Sequence, residues 1–424
     1  MTSTQDFLDF IDASPSSYHA AANVERELVA AGFQRQREED AWDVSPGGHV
    51  VVRGGAVMAY IVPPRLAEGA GEKLRGFRIV GSHTDSPGFT VKPEPDFQHA
   101  GWDQIGVEVY GGPILHSWFD RELTLAGQVT LRDQTTHLVS TGPILRIPNL
   151  AIHMVRKDEF TPDRQFHLQP VWQLSDGGKY ASLGEYVAEQ LGVQATDIAA
   201  FNLITAAAQP AGLFGPAEEF IAAGRMDNLS SVHASLQAFK AAAQGYDGPD
   251  VLVMAAFDHE EVGSNSRYGA AGPILADILQ RTAVGLGASG DDLFRVFAQS
   301  HCVSADAAHS VHPNYAQKHD PHHQPLIGHG PVTKINGKQR YASDSESITR
   351  WENACRRAGV PFQRFVANND VPCGSTIGPI TATRLGIETV DIGVPMLSMH
   401  SAREMVGVSD QAALSGALLE YLVG

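Results

Sequence analysis

The sequence predicts an α/β domain interrupted by a β-rich one. Long apolar runs with strand character, VLVMAAF at 251–257 among them, alternate with amphipathic helical stretches in the outer parts of the chain. From about Val91 to about Pro210 the texture changes to short alternating or β-branched segments between Gly and Pro turns, as an antiparallel sheet requires. The length, 424 residues with 43% hydrophobic content, supplies more than one ordinary core. The expected division is a discontinuous domain, 1–90 with 211–424, and an insert, 91–210.

The elements follow in order. A first helix is expected to begin near Ser14-Pro15, a cap followed by a first-turn proline, and to end before Gly32. HVVVRGGAVMAYIV, from His49, reads as two strands around a Gly-Gly turn, and FRIVGSHTDSPG, from Phe77, as a buried strand entering a loop. In the insert, GVEVYGG, LTLAGQVTLRD and HLVSTGPILRI read as strands. One helix interrupts them: Ser182 and Glu185 form a capping box, Leu183, Tyr186, Val187 and Leu191 share a face, and Gly192 stops it. After Gly224, RMDNLSSVHASLQAFKAA puts Leu229, Val232, Leu236 and Phe239 on one helical face. HCVSADA and ETVDIGVPML are further buried strands, and SDQAALSGALLEYLV is a closing amphipathic helix. The central sheet is expected to be largely parallel.

The net charge of −17 argues against general nucleic-acid binding and against adhesion to anionic membranes. No apolar run approaches the roughly 18–20 residues of a membrane span. The start, MTSTQDFLDFIDASPSSYHA, lacks the basic and apolar regions of a signal peptide, so a cytoplasmic setting is expected. Cys302, Cys355 and Cys373 are odd in number and lack CxxC spacing, which disfavours a disulfide framework and a thiolate zinc knuckle. Many of the 18 histidines fall between His301 and His329, a pattern that by itself reads as a solvated loop.

Five segments share one design, an apolar strand or helix boundary followed by metal-capable side chains in a Gly/Ser/Asp loop. They are GSHTDSPG (His83, Asp85), GRMDNLSS (Asp227), FDHEEVGS (Glu260, Glu261), VSADAAHSVHPNY (Asp306) and SMHSARE (His400). In open α/β sheets, loops from several strands converge at the carboxyl ends, where ligands bind. Oxygen and imidazole donors suit zinc, manganese or cobalt. Two ions roughly 3.5–4 Å apart need a bridging carboxylate, terminal ligands and a separate base. Taken singly, each segment has an ordinary reading: Asp227 as a helix N-cap, Asp306 as a loop cap, the Glu pair as a solvated face.

These segments, with ASPSSYHA, HSWFDREL, RIPNLAIHM, KQRYAS and PCGSTIGPI in the same order, resemble the aspartyl aminopeptidase family of two-metal exopeptidases, in a bacterial form. The likeness spans nearly the whole chain. It implies a zinc-peptidase α/β/α sandwich with an inserted dimerisation domain, and assembly of dimers into a dodecamer. It implies two divalent ions per subunit, zinc first, with cobalt or manganese as alternatives. His83 and Asp306 would serve one ion, Glu261 and His400 the other, and Asp227 would bridge them. Asp85 would fix the His83 imidazole, and Glu260 would be the general base. Peptides with a free N-terminal Asp or Glu would be the substrates. Lys334, Tyr341, Gly374 and Thr376 would lie on the substrate side, and His153 would reach a neighbouring subunit's site. Without the resemblance, Lys334 reads as a surface lysine and His153 as a satisfied histidine on a strand.

GLGASG at 285–290 matches GxGxxG but follows a helix-like segment, so a loop is expected. HEEVG is not HExxH, and neither a GxSxG elbow nor a Walker A sequence occurs. The rival functions are an aminopeptidase of broad or neutral preference, a related amidohydrolase or deacylase, and a metal-dependent scaffold without activity.

Overall fold

The computed structural model describes residues 4–67, 72–155 and 160–424. Its centre is a nine-stranded sheet. In spatial order the strands are Gln34–Arg35, Gly47–Arg53, Ala56–Val62, Val251–Phe257, Phe77–His83, His301–Ala305, Glu388–Gly393, Val332–Ile335 and Gln363–Val366. The four strands from Val251–Phe257 to Glu388–Gly393 are mutually parallel. Antiparallel pairings flank this parallel core, so the sheet is mixed toward its edges.

Alternation along the strands divides the core in two. Leu252, Met254 and Ala256 face one side, where the helices Thr4–Asp12, Ser17–Ala30, Met226–Ala242, Ser345–Ala358 and Val408–Val423 pack. Val251, Val253, Ala255 and Phe257 face the other, against the helices Ile274–Gly285, Asp291–Ala298 and Ile377–Leu385. This is an α/β/α sandwich. Each fully buried large side chain contributes about 1.5–3 kcal/mol, which is why strands covered on both faces read as unbroken apolar runs.

The insert is a seven-stranded antiparallel sheet running from Gly88 to Ala207. Its strand Ile198–Ala207 pairs with both Gly88–His99 and Glu122–Leu131, so the sheet closes on itself. Helix Leu183–Leu191 carries half of the expected box: Ser182 Oγ accepts from Glu185 N at 3.1 Å, but Glu185 Oε2 accepts from Ala181 N at 2.8 Å instead of from Ser182 N, and left-handed Gly192 ends the helix. The stretch ETVDIGVPML, expected as one strand, divides between two sheets: Glu388–Gly393 lies in the centre, and Pro395–Leu397 lies in a further five-stranded sheet of short strands between Gly212 and Gly407 that the sequence does not otherwise predict. Its strands of two to four residues are too short for a periodicity to register.

Two local expectations are corrected. The helix expected from Ser14-Pro15 starts at Ser17 with Ser16 as its cap, and a separate helix, Thr4–Asp12, precedes it. Asp227 is not the N-cap of Met226–Ala242: it lies inside that span with non-helical backbone, and the Asp227–Asn228 peptide is cis. The GLGASG stretch joins two helices, Ile274–Gly285 and Asp291–Ala298, as a loop. No helix of the described residues is long and apolar enough to cross a membrane.

Candidate metal centre

The parallel strands end together. His83 is the last residue of its strand, in register with Phe257, and Asp306 follows the end of His301–Ala305 directly. Beyond Phe257 the chain turns through left-handed His259 (φ 64°) into a single 3-10 turn, Glu260–Val262, closed by left-handed Gly263. That turn brings two adjacent glutamates to one cavity, where a continuing strand would have set them on opposite faces.

Asp227 lies between the two histidines. Its Oδ1 is 3.4 Å from His83 Nε2 and its Oδ2 3.4 Å from His400 Nε2. His83 Nε2 is 3.6 Å from Asp306 Oδ1, and His400 Nε2 is 3.5 Å from Glu261 Oε2. Two groups of donor atoms result, His83 with Asp227 and Asp306, and His400 with Asp227 and Glu261, all atoms within 4.8 Å of one another in each. A third group sets Glu260 and Glu261 with His83, so proximity alone leaves Glu260 a ligand as well as a base.

Each imidazole has its other nitrogen engaged. His83 Nδ1 is 3.0 Å from the Asp85 carbonyl, and His400 Nδ1 is 3.1 Å from the Gly112 carbonyl. Assigning the Nδ1 protons to those bonds leaves both Nε2 lone pairs facing the cavity, the tautomer a metal requires. The Asp85 carboxylate itself is 3.4 Å from His83. Its closer partners are the N–H groups of Glu260 and Glu261, at 3.0 and 3.1 Å, and the Tyr110 hydroxyl at 2.8 Å. Asp85 thus holds the glutamate turn in place, a role its position two residues after His83 does not reveal.

Electrostatically the centre is a crowd of carboxylates. Burial pushes Glu260 up to about 7, against the attraction of His83 and with the help of Asp306, Asp85 and Asp227. Glu261 is driven well above the ordinary range by burial and by Asp227. Burial opposes charge on both imidazoles, but the surrounding carboxylates outweigh it, holding His83 well up and His400 up to about 10. Asp227 Oδ1 and Glu261 Oε1 are buried without a hydrogen-bond partner, as oxygens reserved for a cation would be. Imidazole and carboxylate donors without thiolate fit zinc.

Two residues that sequence reasoning missed complete the setting. Tyr110 comes from the inserted sheet and reaches Asp85. Glu404, 1% exposed, accepts from Asp227 N at 3.0 Å and from His400 N at 2.8 Å. A carboxylate opening the apolar strand Glu404–Gly407 was the one signal available for it.

The substrate-side residues are placed unevenly. Lys334 is not on the surface: it is 2% exposed, on a strand with a neighbour on each side. Its ammonium donates to the Ala307 carbonyl at 3.2 Å and lies 3.5 Å from Asp306 Oδ2 and 5.2 Å from the centre of the Tyr341 ring. Tyr341 and Gly374 line a cavity of about 200 Å³ together with Lys318, His319 and Cys373. Thr376 turns away, capping helix Ile377–Leu385 and donating to Asp391. His153 is not on a strand but exposed on the short turn Ile152–Met154, where Leu150, Ile152 and Met154 are exposed as well.

Residues 10–421 match the model of the family described as aminopeptidase I zinc metalloprotease (M18). The chain belongs to the M18 aminopeptidase family. This M18 aminopeptidase is 48% identical over 424 residues to a probable M18 family aminopeptidase 2 of Streptomyces coelicolor, covering 99% of this chain and 97% of that protein. Among solved structures it superposes on Ape4 from its cryo-EM complex with Nbr1 at a TM-score of 0.93, with 35% identity, 99% of this chain and 85% of that one. The mApe1 dodecamer of S. cerevisiae gives a TM-score of 0.85 with 25% identity, over 99% of this chain and 95% of that one. The protein is therefore a metal-dependent aminopeptidase, of a family described as zinc metalloproteases.

Proposed function

We propose that this M18 aminopeptidase holds two divalent ions, zinc first, and releases N-terminal Asp or Glu from peptides. The observation that carries the two-ion reading is Asp227, one oxygen toward His83 and the other toward His400. His83 and Asp306 complete one position, Glu261 and His400 the other. When bound, the ions supply Lewis acidity toward the scissile carbonyl and acidify a water. Glu260 takes the proton from that water and delivers it to the leaving amine, which keeps the proton count balanced across the step. Asp85 and Tyr110 hold the turn that carries Glu260. Cobalt or manganese would satisfy the same donors.

Acidic preference rests on Lys334 beside Tyr341, with backbone groups of Gly374 and Thr376 along the cleft. Residues 1–90 and 211–424 form the catalytic domain and 91–210 the dimerisation domain. The solved dodecamer of the similar mApe1 supports assembly of this chain's dimers into a dodecamer. There His153, exposed beside three apolar side chains, reaches a neighbouring subunit's site. Three unpaired thiols suit a cytoplasmic setting.

The test is a set of rates on Asp-, Glu-, Leu- and Lys-peptides, before chelation, after it, and after re-addition of each metal. Activity abolished by chelation and restored to about two ions per subunit, fastest on Asp or Glu, is expected. Activity surviving complete chelation refutes the metal reading. A faster Leu-peptide refutes the acidic preference and favours the broad-specificity rival.

A further inference from the structure

We propose that Glu404 is the positioning residue that fixes Asp227 and His400 as a pair before any ion arrives, and so sets the affinity of the ion position that Asp227, Glu261 and His400 make. The inference rests on the two-ion reading above.

The geometry is specific. Glu404 opens the strand Glu404–Gly407, which pairs antiparallel with Phe220–Ala223 and sets Glu404 opposite Ala223. From there its two oxygens divide between two segments of the chain. Oε2 accepts from the Asp227 amide and Oε1 from the His400 amide, and the side chains of those same residues meet at 3.4 Å. A single carboxylate therefore ties together the backbones of two candidate ligands 173 positions apart (400 minus 227).

Both segments need holding. His400 (φ 68°) and Ser398 (φ 58°) are left-handed, as is Arg225 (φ 63°) just before Asp227. Residues other than glycine keep such backbone only where the surroundings impose it. His400 is held further from the insert, its carbonyl accepting from Ile114 N at 2.9 Å. Asp227 is held by Ser86, whose hydroxyl donates to its carbonyl at 2.6 Å. Among the described residues, Glu404 is the side chain that accepts from the backbone of both segments.

Another buried carboxylate shows how the target distinguishes the role. Asp410 also accepts from two amides, Gly328 and Gly330, but those belong to a loop that carries no ligand. A glutamine at 404 would keep the volume and one acceptor. Its NH2 would face one of the two amides, donor against donor, so one tether would be lost while the fold's packing stayed.

The test is metal titration of the full-length protein with Glu404→Gln, with Glu352→Gln, a buried glutamate paired with Arg356 and Arg364, as the control. Zinc and cobalt are added in competition with a chelator of known strength, and bound metal is counted by mass spectrometry. Outer partners of metal ligands are worth about 10–100-fold in affinity. The ion position that contains His400 has both of its Glu404-held ligands disturbed and should weaken by that factor in Glu404→Gln, the other, which shares only Asp227, should weaken less, and the control should match wild type. Both ions binding Glu404→Gln with wild-type affinity would overturn the proposal. A wild type that never takes more than one ion instead defeats the two-ion reading.

Hydrogen exchange on the wild-type protein gives a second arm that no folding defect can obscure. If Glu404 preassembles the pair, the Asp227 and His400 amides stay slow after metal is stripped. Fast exchange at both in the stripped protein overturns the proposal whatever the variant does.

Discussion

Replacing Glu260 by Gln separates proton transfer from metal binding. The Glu260 N–H is accepted by Asp85 at 3.0 Å, a bond to the backbone that the substitution leaves intact, and the neighbouring Glu261 N–H is held in the same way. The glutamine keeps the shape of the side chain and one acceptor oxygen but cannot take up a proton. General-base catalysis contributes about 10²–10⁴-fold. At about 1.36 kcal/mol per decade that is roughly 2.7–5.4 kcal/mol of barrier. The expected result is a loss of kcat in that range with two ions still bound, read from p-nitroanilide hydrolysis alongside metal content. Glu261→Gln should behave differently, losing an ion together with activity. Wild-type kcat in Glu260→Gln would refute the base assignment. Loss of an ion from Glu260→Gln would make Glu260 a ligand, the alternative its place beside His83 leaves open.

Tyr110→Phe removes one of three donors to the Asp85 carboxylate, a bond to a charged group worth about 1.5–3 kcal/mol. A fall in kcat of at most about 10–100-fold at unchanged solubility is expected, and an unchanged rate and pH profile would separate Tyr110 from the reaction. Stripping both ions should lower the melting temperature, since a site filled at a thousand times its dissociation constant contributes about 4.1 kcal/mol; scanning calorimetry with and without chelator reads it. Asp250→Asn should destabilise the fold by about 3–5 kcal/mol, because it leaves Arg78 buried without its carboxylate partner. Burial opposes charge on Asp250, but Arg75 and Arg78 outweigh it and hold its pKa below the ordinary value. Its stabilisation is therefore complete above the unfolded pKa and lost as pH falls through the folded one, so the gap between wild type and Asp250→Asn should narrow below about pH 4; melts at pH 7 and at acid pH check this.

What the sequence disclosed were features with a local signature. The buried strands announced themselves as apolar runs, the Leu183–Leu191 helix by its serine cap and its glycine, and the five candidate segments by standing at strand or helix boundaries. What stayed hidden depends on approaches across the chain. The Asp85 carboxylate reaches amides 175 and 176 positions away, and Glu404 an amide 177 positions away. No spacing encodes such contacts. Gly112 acts through its carbonyl, which has no residue-type signal at all. Helix Thr4–Asp12 has no start signal to match Ser14-Pro15, and that signal belongs to the link between two helices.

Lys334 shows how burial changes what a charge can be for. An exposed lysine would be screened by water and worth little to selectivity. At 2% exposure, beside Asp306 and over Tyr341, its ammonium lies in surroundings where charge interactions are stronger. One of its three donors goes to the Ala307 carbonyl. The Asp306 carboxylate faces that ammonium, and a cation held by Asp306 would draw on the same carboxylate. On this reading, filling the metal position frees part of the Lys334 charge for an incoming acidic side chain, and metal loading and acidic preference become one property. Lys334→Met should then narrow the rate difference between Asp- and Leu-peptides while Leu-peptide turnover with metal bound is retained. A variant whose Asp-to-Leu ratio equals that of wild type would show that selectivity resides elsewhere in the cleft.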